Sequence, residues 1–249
     1  MLASSHTQAA STSHAELVII GTGMAGVGLA RALRRQGDQR SITMISADSG
    51  DEYSKPLLST GFVKRIEPDM LAQRSASALA TDLNVQLLPH THVTQLDVGS
   101  QQVQCSNGVR LGYNDIVLAT GAAPRQPFSL APSVASRCFS EAGIQLHLGR
   151  SIDSIALTSD DNLHLRLANG DAVSADIVLM ATGLSPRSTL AERAGLTVSA
   201  SGIAVDRQLR TSHPNIYALG DVACVDGVNA MYVQPLQASA KALAATLSG

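Results

Sequence analysis

The residues of this chain best suited to chemistry are three glycines near its start. Gly21, Gly23 and Gly26 follow the apolar run 17–20 directly, in the spacing Gly-x-Gly-x-x-Gly. In a strand–turn–helix, the first glycine permits the tight turn, the second lets a pyrophosphate approach the backbone, and the third lets the helix pack on the strand. Free N–H groups at the positive end of that helix bind the anion. The pattern predicts a dinucleotide site, although glycines in a flexible turn are the alternative.

Two carboxylates are candidates for the rest of such a site. Asp48 follows a predicted strand at 42–46 and lies where an acidic residue binds ribose hydroxyls in this kind of βαβ unit. Asp221 follows a second strand-like run and Gly220. Each has a plain alternative, because Asp48 could be only a turn residue and Asp221 could cap the following helix.

Cysteine and histidine offer no comparable chemistry. Cys105, Cys138 and Cys224 lie far apart and never form Cys-x-x-Cys, so no redox dithiol is predicted and each is expected to be a small buried residue. His90 and His92 alternate on a possible strand, but no acidic or cysteine ligand lies at a helpful spacing. We therefore predict no metal site.

The elements that must position these residues predict an α/β fold. A helix is expected over 24–35, ending at Gln36-Gly37, and a final helix over 238–247. Between them we expect a polar helix-like stretch at 68–83 and strands at 85–88, 91–97 and 115–119. A near-copy of the last strand returns at 176–181, and both copies end in Ala-Thr-Gly.

Composition narrows the classes of protein and partner. The chain has 249 residues, 45% of them apolar and 15% charged, which is typical of a soluble globular protein of one or two domains. A net charge of −2 gives no reason to expect nucleic acid or an anionic membrane as a partner. No apolar run approaches the ~18 residues of a membrane span. Residues 1–14 lack the features of a signal peptide, so we expect a disordered tail and a cytoplasmic location.

Several motifs in a fixed order resemble a known superfamily. They are the glycine turn, Tyr53-Ser54-Lys55-Pro56 with the following Leu-Ser, the two Ala-Thr-Gly strands, and Tyr-Ala-Leu-Gly-Asp at 217–221. From residue 16 to 249 the chain resembles the FAD-dependent pyridine nucleotide–disulfide oxidoreductases, and among them rubredoxin–NAD(+) reductases, with ferredoxin reductases next. The resemblance implies a Rossmann-type FAD-binding domain, a parallel sheet with a β-meander. It also implies electron transfer from NAD(P)H through FAD to a small iron–sulfur protein.

The resemblance implies the contacts at the adenosine end of FAD. The turn from Gly21 to Gly26, with Met24 and Ala25 inside it, would hold the pyrophosphate. Asp48 would bind the adenosine ribose, and Val93 would meet the adenine through its backbone.

The flavin end follows from the same resemblance. Lys55 and Pro56 would line the flavin side of the pocket, where a solvated loop lysine is the alternative. Arg125 would reach the flavin nucleotide, Asp221 the ribityl or phosphate region, and Val233 the isoalloxazine edge. The strand-end residues Thr120, Gly121 and Gly220 complete the candidate cofactor-binding set. No catalytic side chain is implied, because the cofactor performs the chemistry.

One part of the family pattern is missing. Such reductases carry a second Rossmann-like half for NAD(P)H between the two Ala-Thr-Gly strands, with its own glycine fingerprint. Here that interval contains only Gly143, Gly149 and Gly170 before Gly183. We therefore predict an FAD-binding domain at 15–125 and 186–249, and a truncated remnant of the donor domain at 126–185. The deletion would lie between 125 and 131, and the family's C-terminal domain is also expected to be absent.

The remnant should be a helix at 132–141 followed by an antiparallel meander with strands at 144–148, 152–157 and 163–168, a turn at Asn169-Gly170 and a strand from 173. Without its covering helices it should expose apolar surface.

Three functions stay open at this point. The first is a reductase of rubredoxin or ferredoxin reductase type. The second is an FAD-binding module in which NAD(P)H binding is weak or absent, and the third is an inactive deletion product. The family resemblance favours the first, while the missing fingerprint favours the second, so whether the chain is an enzyme stays undecided by its sequence.

Overall fold

The computed structural model describes residues 12–54, 64–67, 70–124, 145, 147, 149–158, 162–178, 181 and 183–249. The chain divides into two compact units, a larger one of Met1–Ala122 with Ser185–Gly249 and a smaller one of Ala123–Leu184. Within the described residues the helices are α1 (Met24–Arg35), α2 (Ala76–Leu83), α3 (Thr189–Arg193) and α4 (Val233–Ser248).

The described strands run from the N-terminal part of the chain to residue 225. They are β1 (Thr12–Ile20), β2 (Ile42–Ile45), β3 (Gln86–Leu88), β4 (Val93–Asp97), β5 (Gln102–Cys105), β6 (Arg110–Leu118), β7 (Ala122–Pro124), β8 (Ile152–Leu157), β9 (Leu163–Leu167), β10 (Ala172–Ala175), β11 (Leu184–Pro186), β12 (Val198–Ser199), β13 (Gly202–Val205), β14 (Ile216–Ala218) and β15 (Ala223–Val225).

A seven-stranded sheet forms the centre of the larger unit, in the order β3-β2-β1-β6-β5-β4, with β14 also paired to β6. Strands β3, β2, β1, β6 and β14 are parallel, whereas β4, β5 and the first half of β6 form an antiparallel meander. The apolar run of β1 is fully buried, as expected for a parallel strand covered on both faces. The predicted α/β class, a parallel sheet with a meander, is confirmed.

Helix α1 covers the predicted residues, and it ends before Gly37, whose φ is +83°. Helix α4 starts five residues earlier than expected, at Val233. Pro235 then lies in the first turn, where its missing N–H costs no helical hydrogen bond. Helix α2 starts later than expected, at Ala76, because the Ser75 hydroxyl caps it by accepting from the Ala78 N–H at 3.3 Å.

The start of β1 corrects the expected N-terminal tail. We expected disorder through residue 14, but β1 begins at Thr12 and pairs in register with β6, with Ser13 opposite Leu111 and His14 opposite Gly112. A hydrogen bond of 2.9 Å between His14 Nε2 and Asn114 Oδ1 adds a side-chain contact. This segment is ordered because it pairs with a strand about a hundred positions away in the chain. Local composition does not reveal such a pairing. Residues 1–11 lie outside the described part.

The smaller unit contains the antiparallel sheet β10-β9-β8. Its strands and the turn at Asn169-Gly170 agree with the predicted meander. The expected helix at 132–141, and all of the expected strand at 144–148 except residues 145 and 147, lie outside the described residues, and neither 145 nor 147 is in a strand.

The predicted strand at 176–181 is wrong for its described residues. Residues 176–178 have no regular structure, and Ile177 is 83% exposed. A run of β-branched residues forms a strand only where a neighbouring strand can pair with it, and none does so here among the described residues.

Smaller sheets complete the architecture. Strands β7 and β11 pair with each other, and β12, β13 and β15 form a three-stranded sheet in the larger unit. Of the helices in the described residues, none is both long enough and apolar enough to span a bilayer.

Candidate functional site

The ends of five parallel strands lie in one row. Ile20 of β1 is in register with Ile45 of β2 and with Leu118 of β6. Leu118 is also in register with Ala218 of β14, and Ile45 is in register with Leu88 of β3. The residues that follow these strands therefore share one edge of the sheet, which we call the carboxyl edge.

The chain order of the strands changes direction at β1. From β1 the chain passes through α1 to β2 and later to β3 on one side, whereas β6 and β14 lie on the other side. In open α/β sheets, ligands bind at such a switch point, outside the carboxyl ends of the strands. The glycine turn after β1 lies at this point.

The three glycines of the turn have different surroundings. Gly21 has a φ of +115°, and a Cβ there would lie 2.3 Å from the Ala119 carbonyl oxygen. A Cβ on Gly26 would lie 2.0 Å from the Gly21 carbonyl oxygen. A Cβ on Gly23 would meet no atom within 4 Å. Two glycines are thus required by packing, while the third faces open space.

Helix α1 begins beside that open space. Gly23 is its N-cap, no side chain caps it, and its first turn contains no acidic residue. The first N–H groups of a helix have no partner within it, and they carry the positive end of its dipole. The N–H groups of Met24 and Ala25 therefore suit an anion.

Asp48 lies three residues beyond β2 and accepts two hydrogen bonds on Oδ1. The Ser46 hydroxyl donates at 2.5 Å and the Gly50 N–H donates at 3.0 Å. Desolvation raises the pKa of Asp48, but these hydrogen bonds outweigh it, so the pKa lies below its ordinary value. The carboxylate is therefore ionised and can accept hydrogen bonds from the hydroxyl groups of a ligand.

Val93, expected at the adenine, is the first residue of β4. The segment before it lies beside the end of β2, because the Thr91 N–H donates to the Ser46 carbonyl and the His90 N–H to the Asp48 carbonyl, both at 2.7 Å. The structure thus brings the neighbourhood of Val93 close to Asp48.

Gly220 and Asp221 form a 3₁₀ turn, Gly220–Val222, after β14. Gly220 has a φ of +79°, and a Cβ there would lie 2.8 Å from Ala25 Cβ and 3.5 Å from Leu236 Cδ1. This turn therefore touches the first turns of both α1 and α4. The N-cap of α4 is Tyr232, so Asp221 does not cap that helix.

Thr120 and Gly121 follow β6 at the same edge. The Thr120 hydroxyl donates to the Arg187 carbonyl, and the Arg187 N–H donates to the Gly121 carbonyl, each at 2.9 Å. The Thr120 side chain is thus engaged with the backbone. Gly121 has a φ of +67° and open space at its Cβ position. Val233 begins α4 and is 38% exposed.

The remaining candidates from the sequence give no further contacts at the carboxyl edge within the described residues. Lys55, Pro56 and Arg125 lie outside the described residues.

Cys105 and Cys224 are buried and unpaired, and burial raises the pKa of the Cys105 thiol. In the described part of the chain, His, Cys, Asp and Glu side chains do not form a group of three or more that could hold a metal ion.

Sequence reasoning missed the hydroxyl groups at this edge. Thr22 Oγ1 lies 2.6 Å from Ser46 Oγ, and both residues are buried. The position of Thr22 inside the glycine turn was the only signal, because Ser46 is 24 residues away in the chain.

Comparison with known proteins identifies the family. The family model described as pyridine nucleotide-disulphide oxidoreductase matches residues 15–139 and 131–242. The rubredoxin-NAD(+) reductase of Alcanivorax borkumensis is 32% identical, with 94% of this chain and 78% of that protein covered. The nitric oxide reductase FlRd-NAD(+) reductase of Citrobacter koseri is 30% identical, with coverages of 94% and 79%.

Solved structures share the fold. The ferredoxin reductase of Rhodopseudomonas palustris matches with a TM-score of 0.84 at 25% identity, covering 94% of this chain and 76% of that chain. The putidaredoxin reductase–putidaredoxin complex matches with a TM-score of 0.82 at 24% identity, covering 95% and 76%.

The match to these relatives is interrupted inside the chain. The alignment with the Alcanivorax protein spans 302 positions, more than the 249 residues of this chain, so that protein has aligned positions without a counterpart here. The two segments matched by the family model meet at 131–139. The expected internal truncation relative to these proteins is thereby confirmed. The chain belongs to the pyridine nucleotide-disulphide oxidoreductase family.

Proposed function

We propose that this chain is an FAD-dependent oxidoreductase of rubredoxin or ferredoxin reductase type that binds FAD at the carboxyl edge. The observation that carries the proposal is the space beside Gly23, because the other two glycines of the turn are closed by packing. An open position at the uncapped start of α1 fits a pyrophosphate. In this proposal residues 15–125 and 186–249 form the FAD-binding domain, and 126–185 are the remnant of a donor domain.

The remaining contacts follow from the positions along this edge. The backbone from Gly21 to Gly26 would bind the pyrophosphate, Asp48 the adenosine ribose, and the backbone of Val93 the adenine. Asp221 would bind the ribityl or phosphate region.

The flavin would lie near the start of α4. The Val233 end of that helix would adjoin the isoalloxazine edge, while Lys55, Pro56 and Arg125 enter by resemblance alone. Bound FAD supplies hydride acceptance and single-electron release, and the residues of this chain bind it, orient it and set its electrostatic surroundings.

A small iron–sulfur protein is the proposed electron acceptor. The Alcanivorax relative is named for rubredoxin, and one structural neighbour is a complex with putidaredoxin. These names support a carrier of that class for this chain.

A second candidate is an FAD-binding module without productive NAD(P)H binding. It is favoured by the interrupted alignment and by the single Gly-x-Gly-x-x-Gly in the sequence. Hydride transfer needs the nicotinamide held ~3–3.5 Å from the flavin. A chain without a second glycine turn lacks the helix start that would bind that dinucleotide's pyrophosphate.

Anaerobic reduction of the FAD-loaded chain separates the two candidates. Dithionite should bleach the flavin absorption in either case. The second candidate predicts that NADH or NADPH does so only very slowly, because oriented reactants gain effective molarities of about 10⁵–10⁸ M that a chain without a donor site would partly lose. Stopped-flow absorbance on mixing with NADH is the measurement. Fast, saturable bleaching at micromolar NADH would establish the reductase, and failure to bind FAD would refute both candidates.

A further inference from the structure

Two buried hydroxyl groups at the carboxyl edge have no part in the function proposed above. Thr22, inside the glycine turn, is 8% exposed, and Ser46, at the end of β2, is 3% exposed. Thr22 Oγ1 lies 2.6 Å from Ser46 Oγ, which lies 2.5 Å from Asp48 Oδ1. Buried polar groups normally have such partners, but here they form a chain that ends on a candidate ligand-binding carboxylate.

The direction of these hydrogen bonds follows from the number of protons. A serine hydroxyl has one proton, and an ionised carboxylate can only accept. Ser46 therefore donates to Asp48, and its remaining contact must be a hydrogen bond that it accepts from Thr22. The chain runs in one direction, from the glycine turn to the carboxylate.

This arrangement constrains the Asp48 carboxylate. In the described part of the chain, the hydrogen bonds to it, from the Ser46 hydroxyl and the Gly50 N–H, both end on Oδ1. Two donors on one oxygen hold the side chain in one rotamer and leave the other oxygen, Oδ2, to be presented to a ligand. A carboxylate held in place before binding loses less conformational entropy when the ligand arrives.

We propose that Ser46 and Thr22 are positioning residues for the adenosine end of the site, linking the pyrophosphate-binding turn to the ribose-binding carboxylate. The inference rests on the proposed binding of FAD, and it adds two residues whose side chains do not touch the ligand themselves. Their effect on affinity is transmitted through Asp48.

A double-mutant cycle tests this transmission. The full chain is purified without flavin, and its Kd for FAD is measured by fluorescence titration for Ser46→Ala, Asp48→Ala and the double variant. We expect Ser46→Ala to raise the Kd by roughly three- to tenfold, because the freed Asp48 carboxylate must then be ordered when FAD binds. In the Asp48→Ala background, Ser46→Ala should not change the Kd further, because the carboxylate that Ser46 positions is absent.

Matched variants distinguish the loss of one hydroxyl group from a general destabilisation of the fold. Thr22→Val removes the hydroxyl and keeps the shape, whereas Thr22→Ser keeps the hydroxyl, and we expect Thr22→Val to bind FAD a few-fold more weakly than Thr22→Ser. Thr43→Val is the control on β2, because Thr43 is 3% exposed and its hydroxyl donates at 3.3 Å to Gln86 Oε1. This control should leave the Kd unchanged.

The outcomes are distinct. The inference is overturned if wild type and Ser46→Ala bind FAD with equal affinity. It is also overturned if Ser46→Ala weakens FAD binding equally with and without Asp48. In both cases the proposed function is unaffected. If Ser46→Ala does not fold, equal affinities of Thr22→Val and Thr22→Ser overturn it instead. If the unmodified chain does not bind FAD, both the proposed function and this inference are refuted.

Discussion

At the scale of single residues, the glycine turn separates packing from ligand binding. Gly21 and Gly26 leave no room for a Cβ, because backbone carbonyl oxygens would lie 2.3 and 2.0 Å away. Gly23 has ordinary extended backbone, with φ −70° and ψ −176°, and a Cβ built on it would meet no atom within 4 Å. Glycine at this position is therefore not required by the fold of the chain, and a ligand that approaches the backbone explains it.

This difference predicts opposite results for two glycine substitutions. Gly23→Val should leave the melting temperature of the flavin-free chain nearly unchanged while abolishing most flavin binding, because its side chain occupies the space of the pyrophosphate. Gly26→Ala should lower the melting temperature, since the new Cβ collides with a backbone carbonyl. Thermal melts and the flavin content of the purified variants measure both effects. Wild-type flavin content in Gly23→Val would show that the pyrophosphate lies elsewhere.

A second residue-scale prediction concerns Asp48. Replacing it by alanine removes an ionised acceptor, and a hydrogen bond to a charged group typically contributes about 1.5–3 kcal/mol. The affinity for FAD should fall by roughly one to two orders of magnitude. Asp97→Ala is the control, because Asp97 is an exposed residue at the end of β4. An unchanged Kd in Asp48→Ala would remove Asp48 from the site.

At the scale of elements, α1 and α4 lie side by side in the larger unit, and α4 contributes to the site through its first turn. Leu236 in that turn lies close to Gly220, and further along the two helices Gly28 faces Ala240. A Cβ on Gly28 would lie 3.6 Å from Ala240 Cβ, which is ordinary van der Waals contact. Unlike Gly21 and Gly26, Gly28 is therefore not required by packing.

Gly28→Ala should therefore stabilise the protein. Alanine is favoured over glycine in a helix interior by about 0.8–1 kcal/mol, and the added methyl group fits against Ala240. Urea unfolding should show a higher midpoint at an unchanged slope. A lower midpoint would mean that the two helices are packed more closely than the structure indicates.

At the scale of the whole molecule, Arg40 joins distant parts of the larger unit. Its guanidinium pairs with Asp38 at 2.7 Å and with Asp115 of β6 at 3.5 Å, and it donates to the Leu247 carbonyl near the end of α4 at 3.0 Å. The Asp38 side chain is only 6% exposed. The Arg40 guanidinium holds the pKa of Asp38 below its ordinary value, against desolvation, which raises it.

A pH-dependent stability follows from this ion pair. Because the pKa of Asp38 is depressed in the folded state, its stabilisation is present above the unfolded-state pKa and is lost as the pH falls through the folded-state pKa. Asp38→Asn should lower the free energy of unfolding at neutral pH by on the order of 1–3 kcal/mol. The variant should also lose less stability than the wild type between about pH 5 and pH 2.

Urea unfolding at several pH values measures this effect. The control is Asp226→Asn, because Asp226 and its partner Arg207 form an exposed pair with 62% and 83% of their side chains accessible, and such pairs contribute little. Parallel pH profiles for wild type and Asp38→Asn would contradict the assigned role.

Local patterns in the sequence were sufficient for the parts of the fold that depend on neighbouring residues. The bounds of α1, the hairpin strands of the smaller unit and the switch from β1 to a glycine turn all followed from periodicity and turn residues. The gap relative to the family was also visible in the sequence, as an absent second glycine motif. The start of β1 at Thr12 and the absence of a strand at 176–178 were not, because each depends on whether a distant strand is available for pairing.

Only the tertiary structure decided which residues the site requires and why. The sequence marks three glycines alike, but the open space at Gly23 and the collisions at Gly21 and Gly26 depend on how β6 and α1 pack around the turn. The hydroxyl chain from Thr22 through Ser46 to Asp48 joins residues that are 24 positions apart, so no local pattern contains it. Space around a Cβ and hydrogen bonds between separate strand ends exist only after the sheet has aligned those ends in one row.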